Sequence, residues 1–506
     1  MPRLGRNIAA NFIGKAATAA VGLLFPPIIA RLLGIESYGL IGIYSSLTGA
    51  LAVLDLGLTA TLTREMARLS DGSNEEAAKA MKDMVRTFEL VFWSVGIGVG
   101  GLVFLAAPLA ASHWVHARTL EPEAITASIR LMGLVICLQW PSGMYNGGLL
   151  GLQRQVSASA IQAAGTTLRF AGGAAVLWKV SDSLHAFFIW QGVVAGAQTV
   201  VTAIVLGGAL PRACQRGAFR WRVLLANWRY SVGASVITLL AMVLLQADKI
   251  IVSKLLPLAA FGYYTLAWTV GSALGLLVTP VFVAVFPRLT QLARQDDTRE
   301  LAELYHTSCQ LVSVVLFPAA AVLTLFSREV IWAWTGDAVT VAAVAPVVIP
   351  VAIGTTLNGL MNMPHALQLA YGWTRLAVWS TGVAVVVIVP LTVVLAKAYG
   401  TVGAATGWAV LNAGFMIFNA QAMHRRLLRS EQRQWYVGDV GLPFLGTLLA
   451  VAPIRALVMH TTGRWGTLMH LGAAAAVAVA GAGLASPALR KRGIEGVKPL
   501  LSKLGS

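Results

Sequence analysis

Apolar stretches of helical length follow one another along the whole chain, and this recurrence limits the fold more than any other feature. A helix needs roughly 20 mainly apolar residues to cross the hydrocarbon core of a bilayer. Windows of that length predict spans at 8–33, 38–62, 86–111, 125–150, 155–179, 184–208, 229–254, 259–286, 307–327, 340–364, 374–395, 400–424, 438–460 and 465–486. The expected fold class is an all-α integral membrane protein with about 14 transmembrane helices. Barrel strands are excluded by length, since they run to about ten residues of strict alternation. Pro26, Pro27, Pro280 and Pro318 fall inside the stretches, where membrane helices tolerate them and soluble ones do not. The composition, 57% hydrophobic and 12% charged, excludes a disordered chain, a disulfide scaffold and an ordinary cytosolic enzyme. Arg3, Arg6 and Lys15 resemble the start of a signal peptide, but only further spans follow, so the first stretch is read as a retained helix.

The net charge of +17 would suggest nucleic acid in a soluble protein. Sorting the charges by segment removes that reading. Of 38 basic residues, 26 fall in the segments on the side of the N-terminus and seven in those on the other side. By the positive-inside rule this asymmetry puts both termini in the cytoplasm, with no nucleic-acid partner. Nine of the 15 tryptophans lie at or just beyond span ends, as an interfacial belt predicts.

No built-in nucleotide motor is legible: around Gly14-Lys15, Ala9 and Ala16 stand where a phosphate loop needs Gly and Ser/Thr. Cys137, Cys214 and Cys309 are isolated and read as packing residues, and His113 with His116 in one outer loop reads as solvated, so no metal and no cofactor is expected. Asp296-Asp297 sits among charges of both signs and reads as a solvated loop. The longest outer segment, about 112–124, is small for a membrane enzyme that joins glycans outside the cell.

The sequence repeats itself. Arg31-Leu32-Leu33 precedes Tyr38-Gly39, and Lys254-Leu255-Leu256 precedes Phe261-Gly262 at an offset of 223. Six predicted spans separate the copies, and an even number makes them parallel repeats about an axis along the membrane normal. The expected organisation is an N-terminal six-helix lobe (1–208), a cytoplasmic basic linker (209–228), a C-terminal six-helix lobe (229–424), a basic cytoplasmic loop (425–437), two additional helices (438–486) and a basic cytoplasmic tail (487–506). The tail reads either as a short helix on the inner leaflet or as a disordered basic end.

At these residues the chain resembles a known family. Residues 26–46 resemble the first hairpin of polysaccharide-biosynthesis membrane transporters, with Arg31, Gly34, Tyr38 and Gly39 in place, and Asp55-Leu56-Gly57 stands where that family carries Asp-Leu-Gly. Residues 246–264 resemble its second-lobe hairpin, with Asp248 and Gly262-Tyr263 at recurring positions. Pro257 stands where the first copy has Gly34. The group is the Wzx-type O-antigen flippases of the MOP superfamily, relatives of lipid II flippases and MATE drug exporters, and the resemblance covers about residues 7–425. It implies two lobes working by alternating access and no enzymatic activity. It implies as substrate an undecaprenyl-diphosphate-linked oligosaccharide, moved from the inner to the outer leaflet of the bacterial inner membrane. Implied partners are H+ or Na+, the lipid bilayer, and a glycan polymerase and glycosyltransferase complex. The competing readings are an ion-coupled multidrug antiporter of the same superfamily and a membrane glycan polymerase or glycosyltransferase.

A diphosphate crossing a low-dielectric core calls for cations, and charges inside spans mark function. The candidates for a cationic lumen are Arg169, Lys249, Lys15 and Arg130. Arg169 lies ten residues from its nearer span end, too deep to snorkel easily; its alternative is pairing with backbone carbonyls between helices. Lys15 reads equally as lumenal or snorkelling, while Arg130 and Arg31, near outer ends, favour snorkelling. Asp248 and Lys249 point about 100° apart on a helix, so one faces the lumen and the other a helix contact. Asp55 and Asp248 are candidates for ion coupling or interhelical pairing.

Overall fold

A computed structural model describes residues 14, 17–70, 75–211, 217–295, 297–456, 463–487 and 490. Among them the regular structure is helical throughout. Lys15, Arg3, Arg6, Cys214, Asp296 and nearly all of 487–506 lie outside the described residues.

The chain divides into two compact units, Met1–Gly262 and Tyr263–Ser506. The sequence expectation starts the second lobe at 229, whereas the structure groups helix Trp221–Leu255 with the first unit. The last turns of that helix are held there by polar contacts. Ser253 Oγ accepts from Trp114 Nε1 at 3.1 Å, Lys254 Nζ donates to the His113 carbonyl and covers the Trp114 ring, and Leu258 N–H donates to the His116 carbonyl at 2.9 Å. The segment with the two histidines is thus a clamp for the second hairpin motif.

Among the described residues ten helices are long and apolar enough to cross a membrane. They include Ile35–Asp55, Glu75–His113, Pro122–Gly151 and Leu184–Ala209 in the first unit, and Thr298–Leu325, Ala338–Ala370, Gln432–Ala456 and Arg464–Ala485 in the second. Leu258–Gln295 begins in the first unit and continues into the second. The remaining one, Arg375–Leu427, has 53 residues, about twice what a bilayer needs. It folds back at Gly400, whose φ of 61° and ψ of −138° lie where L side chains rarely go. Gly403 therefore comes against the Leu395 carbonyl and Gly407 against Thr392, the pairing of an antiparallel helical hairpin. The predicted stretches 374–395 and 400–424 are its two arms. Three other predicted stretches fall outside the ten. The 8–33 stretch is described as a shorter helix, Ala17–Leu33; the 155–179 stretch is broken by a π turn; and 229–254 lies inside helix Trp221–Leu255.

Each unit has its own core. In the first, Met66, Met81, Met84, Phe88, Phe92 and Met144 interlock, a methionine-rich packing that fills irregular gaps between helices. In the second, Tyr305, Leu316, Phe317, Met363, Met423 and Trp435 do so. Phe326, Val451, Leu471 and Ala474 pack the last two helices against the end of Thr298–Leu325. Outward faces are apolar, with Leu105 76% and Leu449 75% exposed, as hydrocarbon contact requires.

Candidate functional site

The site is built around Arg169. The helix begun at Gln155 widens into a π turn at Leu168–Gly172, with Arg169 inside it. A π turn loosens the regular ladder and leaves carbonyls for side chains to satisfy. Helix Leu184–Ala209 supplies the partners. Trp190 Nε1 donates to the Leu168 carbonyl at 2.7 Å, and Gln191 Nε2 donates to the Arg169 carbonyl at 3.1 Å. One turn and more further on, Gln198 Oε1 accepts from Arg169 Nη2 at 3.0 Å, while Gln198 Nε2 donates to Gln162 Oε1 at 2.5 Å. Tyr44 lies within electrostatic reach of the guanidinium, and its hydroxyl donates to Gln139 Oε1 at 2.9 Å.

The result is a half-buried cation among neutral amides and a phenol. Among the described residues no carboxylate pairs with Arg169, and its buried Nε–H has no hydrogen-bond partner. A buried charge without a counter-charge costs several kcal/mol, which an arriving anion would offset. The guanidinium meets a side-chain amide, that of Gln198.

The other sequence candidates are placed as follows. Lys15 lies outside the described residues. Lys249 Nζ donates to the Leu245 carbonyl at 2.7 Å and lies 3.4 Å from Asp248 Oδ1; Asp248 is buried and Lys249 is partly exposed, so the two pair with each other. Arg130 is exposed and covers the ring of Phe104, itself on an outward apolar face, so it sits where snorkelling would put it. Asp55 Oδ1 accepts from the Thr59 hydroxyl at 2.6 Å and from its N–H at 3.3 Å. It thereby caps the next helix, Leu58–Ser70, across the break at Leu56-Gly57.

Among the motif positions, Gly34 and Gly57 turn the chain. Arg31 is exposed at the end of its helix, and Gly34, with φ 81°, separates that helix from the next. Leu56 and Gly57, at φ 47° and 72°, break the chain after Asp55. Tyr38 is buried. Gly39 and Gly262 are sites of close approach: a Cβ on Gly39 would lie 2.6 Å from the Leu258 carbonyl oxygen, and one on Gly262 would lie 2.4 Å from that of Ile35. Tyr263 is half-buried in the second unit, within reach of Asp337.

Sequence reasoning missed the amides. Gln139, Gln162, Gln191 and Gln198 are polar side chains inside apolar helices, and that was the available signal; a search confined to formal charges passes over them.

The described residues thus form apolar helices in two units, with a half-buried cation that meets no carboxylate among them in one unit. The chain belongs to the polysaccharide biosynthesis protein family, whose model matches residues 4–293. It is 24% identical over 414 residues to a putative O-antigen transporter of Shigella flexneri, covering 80% of this chain and 94% of that one. It is 25% identical over 347 residues to the succinoglycan biosynthesis transport protein ExoT of Rhizobium meliloti, covering 65% of this chain and 64% of the relative. In fold it matches the lipid II flippase MurJ in an inward closed conformation, with a TM-score of 0.69 at 11% identity over 94% of this chain and 98% of that one. It also matches an inward-facing MATE multidrug transporter of the MOP superfamily, with a TM-score of 0.66 at 14% identity over 82% and 99%. The protein is therefore a multi-pass membrane protein of the polysaccharide biosynthesis protein family, with the fold that MurJ and the MATE transporter share.

Proposed function

We propose that this protein is a flippase that carries an undecaprenyl-diphosphate-linked oligosaccharide, an O-antigen, capsule or exopolysaccharide repeat unit, from the inner to the outer leaflet of the bacterial inner membrane by alternating access. Arg169 is the observation that carries the reading. Its guanidinium has a free, buried N–H and a neutral amide for company, so an approaching diphosphate meets a donor with no competing carboxylate. A deep multi-cation clamp would hold the lipid too tightly for release, whereas one guanidinium set among amides binds moderately. Lys249 is half neutralised by Asp248 and serves as a secondary contact. The names of the relatives, an O-antigen transporter and a succinoglycan transport protein, support the glycan class. In this reading the chain crosses the membrane fourteen times with both termini in the cytoplasm, and the lipid tail stays in the bilayer.

A cation exporter of the same fold would need the opposite sign of charge at its centre. The test is deletion of the gene followed by analysis of lipid-linked sugars. The flippase predicts undecaprenyl-diphosphate oligosaccharide accumulating in the inner leaflet, and unchanged lipid-linked sugars would refute it.

A further inference from the structure

The second unit holds a group of titratable side chains that the Arg169 site does not use. His306, on helix Thr298–Leu325, is buried with a carboxylate at each ring nitrogen: Nδ1 lies 2.5 Å from Asp439 Oδ2, and Nε2 lies 3.1 Å from Glu431 Oε2. The Asp439 side chain is fully buried, and that of Glu431 is 27% exposed. Gln310 Nε2 donates to the second Asp439 oxygen at 2.8 Å, and Ser486 Oγ donates to Gln310 Oε1 at 2.7 Å. Four segments meet here: helix Thr298–Leu325, the residue before Gln432–Ala456, the π turn Trp435–Gly441 inside that helix, and the end of Arg464–Ala485.

The geometry sets the proton count. A neutral imidazole offers one N–H and one lone pair. Between two carboxylates, the lone pair would face an anionic oxygen in a buried setting. Both contacts close only when one further proton is present, either on the ring, which then donates twice, or on a carboxyl that donates to the ring. The neighbouring titratable groups are already committed. His424, from the arm 401–427, has Nδ1 2.7 Å from the Ala420 carbonyl and Nε2 3.2 Å from the Tyr305 hydroxyl, one acceptor and one donor, which suits a neutral ring. Tyr436 donates to the Met416 carbonyl at 2.8 Å, and Cys309 is buried beside Tyr305 on the same helix as His306.

We propose that His306, Asp439 and Glu431 form a binding site for a single proton, and that this proton clasps the C-terminal helices Gln432–Ala456 and Arg464–Ala485 onto helix Thr298–Leu325. Glu431, partly exposed, is the entry for the proton. When the proton leaves, a lone pair and two carboxylates confront one another around the buried Asp439. The π turn is the segment that yields, because its ladder is already irregular. The attachment of the last two helices to the second unit thus follows pH.

The test is hydrogen exchange on the full chain in lipid nanodiscs. At each pH the exchange of amides 435–441 is divided by that of helix Ala338–Ala370 in the same molecules, which cancels the intrinsic pH dependence. In the wild type the ratio is level under acid conditions and climbs by up to about tenfold per pH unit once the proton is released. In Glu431→Gln the amide donates to Nε2, a neutral ring satisfies both contacts, and the ratio stays level. His306→Gln, if it folds, is level as well. A level ratio in the wild type, or a climb in Glu431→Gln equal to that of the wild type, overturns the proposal.

Discussion

Gly39 and Gly262 exchange contacts. Gly39 lies against the carbonyl of Leu258, four residues before Gly262, and Gly262 lies against the carbonyl of Ile35, four residues before Gly39. The pairs 35–258 and 39–262 share one offset, 223, the same offset that relates the two hairpin motifs. Reciprocal contact of this kind is what a two-fold relation produces. A methyl group at either glycine would meet backbone, which has little room to move. Gly39→Ala and Gly262→Ala should each lower stability by about 1–3 kcal/mol, read as a lower melting temperature of the purified protein. Gly101→Ala, at a glycine facing open space, is the control and should leave it unchanged.

Arg169 offers a sharper test of substrate chemistry. Arg169→Ala removes the cation and should abolish complementation of a deletion strain at normal membrane levels of the protein. Arg169→Lys keeps the charge without the planar fork and should retain about a tenth of the activity. Full activity in Arg169→Ala would remove this residue from the site.

Trp190 supports the site through the backbone. Trp190→Phe leaves the Leu168 carbonyl without its indole donor. The expected loss is about 1–3 kcal/mol of stability, seen in thermal unfolding.

Asp55 distinguishes capping from ion coupling. Asparagine caps a helix as well as aspartate does but takes up neither a proton nor a cation's charge. Asp55→Asn should therefore transport normally, while Asp55→Ala should lose about 1 kcal/mol of stability. A dead but well-folded Asp55→Asn protein would return Asp55 to the coupling machinery.

Gly400 turns one long apolar segment into two arms. Gly400→Ala forces a side chain into a strained conformation and should cost about 1–3 kcal/mol. The check is the melting temperature, with Gly382→Ala, in open space on one arm, as the reference.

Much of this fold was legible in hydropathy, because a bilayer leaves a chain little choice but apolar helices. The turn at Gly400 was legible as a gap between stretches. The grouping of Trp221–Leu255 with the first unit was not, because Trp114, Lys254 and the His113 and His116 carbonyls meet across more than a hundred residues of sequence. Arg169 stood out, since a charge at that depth is rare; its amide neighbours did not, since glutamine carries no charge to flag. His306 and Asp439 were hidden by span boundaries. Each falls within a residue or two of the edge of a predicted stretch, where a polar side chain reads as loop, and only the packing of four segments shows them to be buried together.

The π turn at Leu168–Gly172 also bears on how such a site arises. A π turn holds one residue more than the α-helical turn it replaces. Deleting a single residue there would restore a regular helix and leave the flanking segments in register, because four residues at about 100° each sweep what five sweep in the wider turn. The carbonyls now taken by Trp190 and Gln191 would then return to the helical ladder with every flanking side chain still encoded. A one-codon change of length, with no substitution at all, is enough to erase the site or to create it.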